Sequence, residues 1–178
     1  MRKIVVYELL SLDWVAEAPD SFFADWDDAV GRRLAATIET QDAVLFGRRT
    51  YTEWGHFWPT SDIEPFATFI NGVAKYVATS TPLDRDWANA TVIDGGLVEF
   101  VRDLKQQAGG DIGVHASLSV AQALLAAGVV DELKLVVGPM IVGHGRRLLD
   151  GLPSIKLESI RSEISPTGYL IVDYRAIR

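Results

Sequence analysis

Apolar positions in this chain fall into two patterns that alternate along its length. Short, mostly apolar runs predict buried strands, and they lie at 4–12, 42–46, 75–79, 111–115 and 132–143. Between the runs, apolar residues recur every three or four positions, as in a helix with one buried face. These predicted helices lie at 26–38, from about residue 50, at 64–71, at 97–108 and at 117–128. Residues 154–164 and 169–177 close the chain as a hairpin around a turn that contains proline and glycine.

Strands that alternate with helices favour an α/β fold with a mostly parallel sheet and helices on both of its faces. The closing hairpin adds antiparallel strands at one edge. No repeat or linker-like segment divides the sequence, so residues 1–178 are expected to form a single domain. Ligands of such sheets bind at the carboxyl ends of the strands. The residues that directly follow each run are therefore the candidates for chemistry.

Gly47, Arg48, Arg49 and Thr50 follow the second run and open a helix. A glycine permits a tight turn, and a helix start offers unpaired N–H groups and a partial positive charge. The arginines can pair with phosphate oxygens, and the threonine can cap the helix or donate to phosphate. An ordinary capped helix with solvated arginines fits the same residues.

Two further strand ends carry hydroxyl and small side chains. Thr79, Ser80 and Thr81 follow the third run, where they can hold a ribose or phosphate or simply form a polar turn. Ala116 and Ser117 join the fourth run to a helix, and small residues there let a pyrophosphate approach the helix start. A nucleophilic Ser117 on a strand–helix elbow is the alternative, although such elbows usually have flanking glycines.

Aromatic residues are dense in the predicted loops and the first helices. Trp14, Tyr51, Trp54 and Trp58 are candidates for a flat pocket that stacks on a planar ring, although part of the aromatic set must be core. The three histidines show no metal-ligand spacing, so no metal is expected. The loop at 143–151, which contains glycines and two arginines, can close over a ligand, contact a second subunit or be solvated.

The overall charge bears on the class of partner. With 24 acidic and 17 basic residues the net charge is −7, so neither nucleic acid nor an acidic membrane surface is an expected partner. A local basic pair can still hold one small anion. The apolar run at the start of the chain is too short to span a membrane. A chain of 178 residues without cysteine is expected to be a cytoplasmic protein.

Six stretches in a fixed order resemble one known superfamily. They are LSLD, LFGRRTY, KYVATST, GGDIGVHAS, VVDEL and GHGRRLL. The chain resembles the dihydrofolate reductase-like superfamily, and in particular small bacterial proteins similar to the C-terminal reductase domain of the bifunctional riboflavin-biosynthesis deaminase/reductase. The resemblance implies a three-layer α/β/α sandwich and a homodimer. It also implies an NADPH-dependent reductase that acts on a small planar heterocyclic or carbonyl/imine substrate, such as a riboflavin-pathway pyrimidine.

The resemblance also implies site residues. The residues implied to hold NADPH are Gly47, Arg48, Arg49, Thr50, Thr79, Ser80, Thr81, His115, Ala116, Ser117, Leu118 and Ser119. Asp13 begins the loop that borders the nicotinamide, and Asp13 or Asp28 is a candidate to orient the substrate or move a proton. Trp14, Ala116 and Leu118 stand where the family usually has glycine. Two other functions stay open: a non-catalytic ligand-binding dimer on the same fold, and a serine hydrolase that uses Ser117.

Overall fold

A computed structural model describes residues 1–23 and 26–177 of the chain. The strands are β1 Ile4–Leu10, β2 Gln41–Gly47, β3 Ala74–Ala78, β4 Ala90–Val92, β5 Asp111–His115, β6 Glu132–Val137, β7 Lys156–Ile164 and β8 Leu170–Ile177. The α-helices are α1 Asp28–Ile38, α2 Arg48–Phe57, α3 Phe66–Gly72, α4 Leu97–Gln106 and α5 Leu118–Ala126. Within this described part of the chain, no helix has the length and apolarity needed to cross a membrane.

The described strands form one sheet in the order β4-β3-β2-β5-β1-β6-β8-β7. From β4 to β6, neighbouring strands pair in parallel. Strand β8 runs antiparallel to both β6 and β7, so the hairpin lies at one edge. The predicted mixed sheet, mostly parallel with a C-terminal antiparallel hairpin, is confirmed.

Helices cover both faces of the sheet and divide the core in two. On one face, here called the α5 face, the β1 residues Ile4, Val6 and Leu10 pack with apolar residues of α4 and α5. On the opposite face, here called the α1 face, apolar residues of the sheet pack under α1, α2 and α3. The predicted three-layer α/β/α sandwich is confirmed. Because side chains alternate along a strand, neighbouring residues of β1 contact different helix layers.

The predicted start of α1 is wrong by two residues. The helix begins at Asp28 and excludes Trp26, because Asp27 caps it. The Asp27 carboxylate accepts the N–H groups of Ala29 and Val30 at 3.0 and 3.1 Å. Two residues of the loop before this helix, numbers 24 and 25, lie outside the described residues.

Other boundaries differ where exposure or a loop removes the sequence signal. Helix α2 begins at Arg48 rather than near Thr50, directly after the extended backbone of Gly47. Strand β6 ends at Val137, and the apolar residues that follow it belong to a loop. Strand β4 was not predicted, because its three residues are exposed or half-buried and show no apolar pattern.

Candidate cofactor site

Three strand ends meet at the carboxyl edge of the sheet, as its parallel geometry requires. Strand β2 lies between β3 and β5, with Gly47 opposite Ala78 and Leu45 opposite Val114. The N–H of Gly47 donates to Ser117 Oγ at 3.2 Å, which joins the end of β2 to the start of α5. Helices α2 and α5 therefore begin side by side at one place.

Both helix starts leave N–H groups without a side-chain cap. Gly47 precedes α2 and Ser117 precedes α5, and neither residue caps its own helix. Thr50 was a candidate cap, but its Oγ1 instead donates to the carbonyl of Ala116 at 3.0 Å. Two partial positive charges thus lie beside each other at this edge, an arrangement that favours an anion.

Arg48 connects the start of α2 to the end of β3. Its Nη1 donates to Thr81 Oγ1 at 2.6 Å and also to the carbonyl of Pro82. The Thr79 hydroxyl lies 3.2 Å from that of Thr81. Thr79, Thr81 and Pro82 line a cavity of about 620 Å³, together with the rest of 78–82, 92–95 and Leu97. Among described residues, Arg48 has no salt-bridge partner, so its charge is available to a ligand.

Arg49 takes a different direction from Arg48. Its guanidinium donates to Glu53 at 2.8 Å and to Glu17 at 3.4 Å, and its side chain is 69% exposed. The hydrogen bond and the charge of Glu53, with a smaller contribution from Glu17, raise the pKa of Arg49. The two adjacent arginines therefore differ. Arg48 lies where α2 and α5 begin, whereas the charge of Arg49 is neutralised by acidic residues on the surface.

A second cation reaches this edge from the loop after β6. Arg146 Nη2 donates to Ser119 Oγ in the first turn of α5 at 3.0 Å. The backbone N–H of Arg146 is held by Glu17 at 3.2 Å. The loop that the sequence left open thus contributes a guanidinium at the start of α5.

Asp13 holds this loop in place. Its Oδ1 accepts the N–H of Val142 at 3.0 Å and the hydroxyl of Ser11 at 2.8 Å, and its Oδ2 accepts the N–H of Gly143 at 2.9 Å. These bonds, led by the one from Val142, keep the pKa of Asp13 far below its ordinary value. Asp13 is therefore an ionised positioning group, with no proton to give near neutral pH. Its candidate role as a proton carrier is not supported.

No hydrogen bond or ion pair joins Asp28 to the described residues of this site. It is exposed in the first turn of α1, and its neighbour Asp27 binds the hydroxyl of Thr167 at 2.7 Å in the β7–β8 turn. The hairpin therefore fixes this helix start.

The stretch 115–119 divides between core and site. His115 is 2% exposed on the α1 face, where its Nε2 lies 2.8 Å from Gln41 Oε1. Burial, with a smaller effect of Lys134, lowers the pKa of His115 to about 3, so it brings no positive charge to a phosphate. Leu118 is also buried, in the core under α5. Its side chain therefore leaves the turn open to a ligand.

A known protein family matches almost the whole chain. A model of the RibD C-terminal domain matches residues 2–171. The chain belongs to the RibD C-terminal domain family. It is also 25% identical over 168 residues to the uncharacterized Bacillus subtilis protein YyaP. This match covers 92% of this chain and 83% of YyaP.

Solved structures share the fold across the whole chain. A candidate riboflavin biosynthesis protein from Shewanella sp. PV-4 has a TM-score of 0.81 at 19% identity and covers 99% of both chains. The Thermotoga maritima deaminase/5-amino-6-(5-phosphoribosylamino)uracil reductase has a TM-score of 0.72 at 15% identity, covering 99% of this chain and 57% of that one. Dihydrofolate reductase from Enterococcus faecalis, solved with NADP(H), has a TM-score of 0.66 at 14% identity. The match covers 99% of this chain and 97% of that one.

Two of the three departures from the expected glycines, Trp14 and Ala116, keep a glycine-like backbone. Trp14 has φ 67° and Ala116 has φ 51°, both in the left-handed region. A residue with a Cβ costs about 1–2 kcal/mol in that region. This member of the RibD C-terminal domain family therefore has, at both positions, a backbone conformation that glycine adopts most readily, despite the added side chains.

The candidate substrate pocket is not assembled as predicted. Tyr51 is completely buried, and its hydroxyl donates to the Arg85 carbonyl at 3.1 Å and accepts the Trp87 N–H at 3.2 Å. Trp54 and Trp58 pack edge to face at 5.7 Å in the same core cluster. Trp14 follows β1, is 39% exposed and is not a member of this core cluster. Tyr51 at least is a core residue, because both of its hydrogen-bonding roles are satisfied internally.

Proposed function

We propose that this protein is an NADPH-dependent reductase that transfers hydride to a small planar heterocyclic or carbonyl/imine substrate. Membership of the RibD C-terminal domain family and a reductase among its structural relatives support an oxidoreductase of the riboflavin-pathway type. The pyrimidine named for the Thermotoga maritima enzyme is the first substrate to test. The observation that carries the proposal is the pair of uncapped helix starts beside Arg48.

The described residues fit the phosphates of a dinucleotide. The starts of α2 and α5 offer N–H groups to a pyrophosphate, and Ser117 and Ser119 lie at the same turn. Thr81 lines the neighbouring cavity, and Arg48, which donates to Thr81, suits the 2′-phosphate that distinguishes NADPH from NADH. When bound, NADPH would supply the hydride. The residues of this chain would orient the two reactants and exclude water.

The cofactor proposal is tested with a matched pair of arginine variants. Arg48→Ala is expected to weaken NADPH binding by about 1.5–3 kcal/mol, because a charge-assisted contact is lost. NADH, without a 2′-phosphate, should be affected much less. Arg49→Ala is the control and should bind NADPH like the unmodified protein, because Glu53 and Glu17 already neutralise Arg49. Fluorescence titrations with NADPH and with NADH measure the affinities of the unmodified protein and of both variants.

Two outcomes would contradict the proposal. Equal losses of NADPH and NADH affinity in Arg48→Ala would remove that arginine from the 2′-phosphate site. No binding of millimolar NADPH by the unmodified protein would instead favour the non-catalytic ligand-binding dimer. Turnover is measured separately, as NADPH oxidation in the presence of 5-amino-6-(5-phosphoribosylamino)uracil, with dihydrofolate as a second acceptor.

The serine hydrolase alternative finds no support in the arrangement around Ser117. Ser117 is 3% exposed, and its hydroxyl oxygen is engaged by the N–H of Gly47. His115 lies on the α1 face against Gln41, so it is not placed as a base for this hydroxyl. A fluorophosphonate probe should leave Ser117 unlabelled.

We further propose that the protein is a cytoplasmic homodimer. The side chains of strand β7 alternate between the two faces of the sheet. Its charged residues lie on the α1 face. Leu157 and Ile164 lie on the α5 face, where their side chains are 38% and 71% exposed. Leu170 of β8 continues this apolar strip. A second copy packed face to face would bury it. Light scattering should report a dimer, and Leu157→Glu combined with Ile164→Glu should report a monomer.

A further inference from the structure

Strand β1 extends further than its pairing with β5. The parallel pairing ends at Tyr7 opposite His115, whereas β1 continues to Leu10 along β6. The chain leaves β5 at Ala116, in a left-handed conformation, and α5 begins two residues later. In the described part of the chain, residues 8–10 therefore have no strand on the β5 side. The sheet opens there, at the same carboxyl edge as the candidate cofactor site.

Glu8 is the first residue of β1 beyond its pairing with β5, at the inner end of this opening. It follows Tyr7, the last residue paired with β5, and is opposite Leu135 of β6. Alternation along β1 puts its side chain on the α5 face, with those of Val6 and Leu10. Glu8 is 3% exposed, and its Oε1 has no hydrogen-bond partner among the described residues. A buried polar atom without a partner is rare enough to require an explanation.

No cation among the described residues is paired with the Glu8 side chain. Of the two helices on this face, α5 contains no titratable residue, and the buried Lys105 of α4 is bonded to Asp131. His115 and Lys134, on the neighbouring strands, belong to the α1 face. In the loops at the carboxyl edge, Asp13 is paired with Arg147. Burial alone raises the pKa of Glu8 to about 8. The side chain therefore retains its proton at neutral pH.

The other candidate proton donors are unsuited to this role. Asp13 is ionised and accepts several hydrogen bonds. Asp28 is exposed at the start of α1. His115 is neutral and bound to Gln41. Reduction of a C=N or C=O bond by hydride nevertheless requires one proton, because the electron pair of the double bond ends on the nitrogen or oxygen.

We propose that Glu8 is the general acid of the reduction, which rests on the reductase function proposed above. Hydride from bound NADPH forms a C–H bond at the substrate carbon. The Glu8 O–H bond breaks as its proton forms the new N–H or O–H bond, and the Glu8 carboxylate then takes a proton from water. The balance is substrate, NADPH and one proton converted to reduced product and NADP⁺.

The decisive variant is Glu8→Gln, which keeps the shape of the side chain and has no acidic proton. With 5-amino-6-(5-phosphoribosylamino)uracil as acceptor, it should oxidise NADPH at least roughly 100-fold more slowly than the unmodified protein. Its NADPH affinity should stay within about threefold, since Glu8 is not a phosphate-binding group. The unmodified rate should fall above about pH 8, and the residual Glu8→Gln rate should lack this limb. Glu8→Asp should recover part of the rate.

A readout independent of turnover accompanies these rates. At pH 7 the infrared spectrum of the unmodified protein should contain a protonated carboxyl band that Glu8→Gln lacks. Glu132→Gln is the matched control, because Glu132 is a buried carboxyl that binds Lys3 on the opposite face. It should keep the rate, the pH limb and the band.

The possible failures are distinguishable. Full activity and an unchanged pH limb in Glu8→Gln, with an active unmodified protein, would overturn the proton-donor role alone. An ionised Glu8 at pH 7 would do the same. An unmodified protein that neither binds nor oxidises NADPH would overturn the reductase function, and the role of Glu8 with it.

Discussion

The two faces of the sheet hold buried charged groups in opposite ways. On the α1 face, Arg33 of α1 binds both carboxylate oxygens of Asp173, with Nε to Oδ1 at 3.1 Å. On the α5 face, Glu8 is as deeply buried as Asp173, but among the described residues it has no charged partner. One sheet thus carries a paired carboxylate on one side and an isolated acid on the other.

The comparison shows that the presence of an oppositely charged partner, more than the degree of burial, distinguishes a structural acid from an acid available for catalysis. The Arg33–Asp173 pair ties α1 to β8 across the edge of the sheet. An isolated buried acid contributes no such link, and its ionisation costs free energy because water is excluded. Groups with strongly shifted pKa values concentrate at sites of chemistry. Glu8 has this character, whereas Asp173 has the surroundings of a structural residue.

Removing one partner of the buried pair should have the largest effect. Arg33→Ala leaves the Asp173 carboxylate buried without its cation, and we expect a loss of about 3–5 kcal/mol in unfolding free energy. Urea denaturation measures the loss. Arg32→Ala, an exposed neighbour on the same helix, should stay within about 0.5 kcal/mol of the unmodified protein. Similar losses in the two variants would show that α1 is held by other contacts.

The isolated acid should give stability an unusual dependence on pH. The pKa of Glu8 is about 8 in the folded protein and about 4.3 in an unfolded chain. Between these values the folded state holds a proton that the unfolded state has lost. This group therefore lowers the unfolding free energy by about 1.4 kcal/mol for each unit of rising pH.

Glu8→Gln is expected to remove this slope. Between pH 5.5 and 7.5, the unmodified protein should lose roughly 3 kcal/mol more unfolding free energy than the variant. Urea denaturation at the two pH values measures the difference. Glu132→Gln retains Glu8 and should retain the slope. Parallel pH profiles for the unmodified protein and Glu8→Gln would mean that water or a rearrangement already stabilises the Glu8 carboxylate.

The smallest expected effect concerns the junction where β5 leaves the sheet between the two faces. Ala116 has φ 51°, so Ala116→Gly relieves strain and should raise the unfolding free energy by about 1 kcal/mol. Thermal denaturation provides the measurement. Ala123→Gly, at an exposed position inside α5, should instead destabilise by about 1 kcal/mol. A loss at both positions would indicate that the Ala116 methyl group contributes packing that outweighs its strain.

Much of the fold could be predicted because burial leaves a periodic pattern in the sequence. The parallel strands, the helices of both layers and the closing hairpin all carry that pattern. Strand β4 does not, because it is added to the sheet edge mainly through backbone bonds beside β3. The apolar residues 138–142 carry a misleading pattern, since they lie in a loop after β6.

The site was predictable only as far as the backbone determines it. Parallel strands bring Gly47 and Ser117 together whatever side chains surround them. The directions of Arg48 and Arg49 were not predictable, because adjacent helical residues point about 100° apart and partners such as Glu53 lie elsewhere. Glu8 left one visible signal, an acid within an apolar strand. Its isolation depends on residues contributed by distant segments.

The Asp13 carboxylate has a consequence for how quickly a ligand is captured. Two backbone N–H groups of the loop that carries Arg146 are already bonded to Asp13, and Arg147 lies against it. The guanidinium at the start of α5 is thus set in position before any encounter. Little ordering entropy remains to be lost on association, so the arriving dinucleotide should meet a rigid receptor and bind in a single kinetic phase.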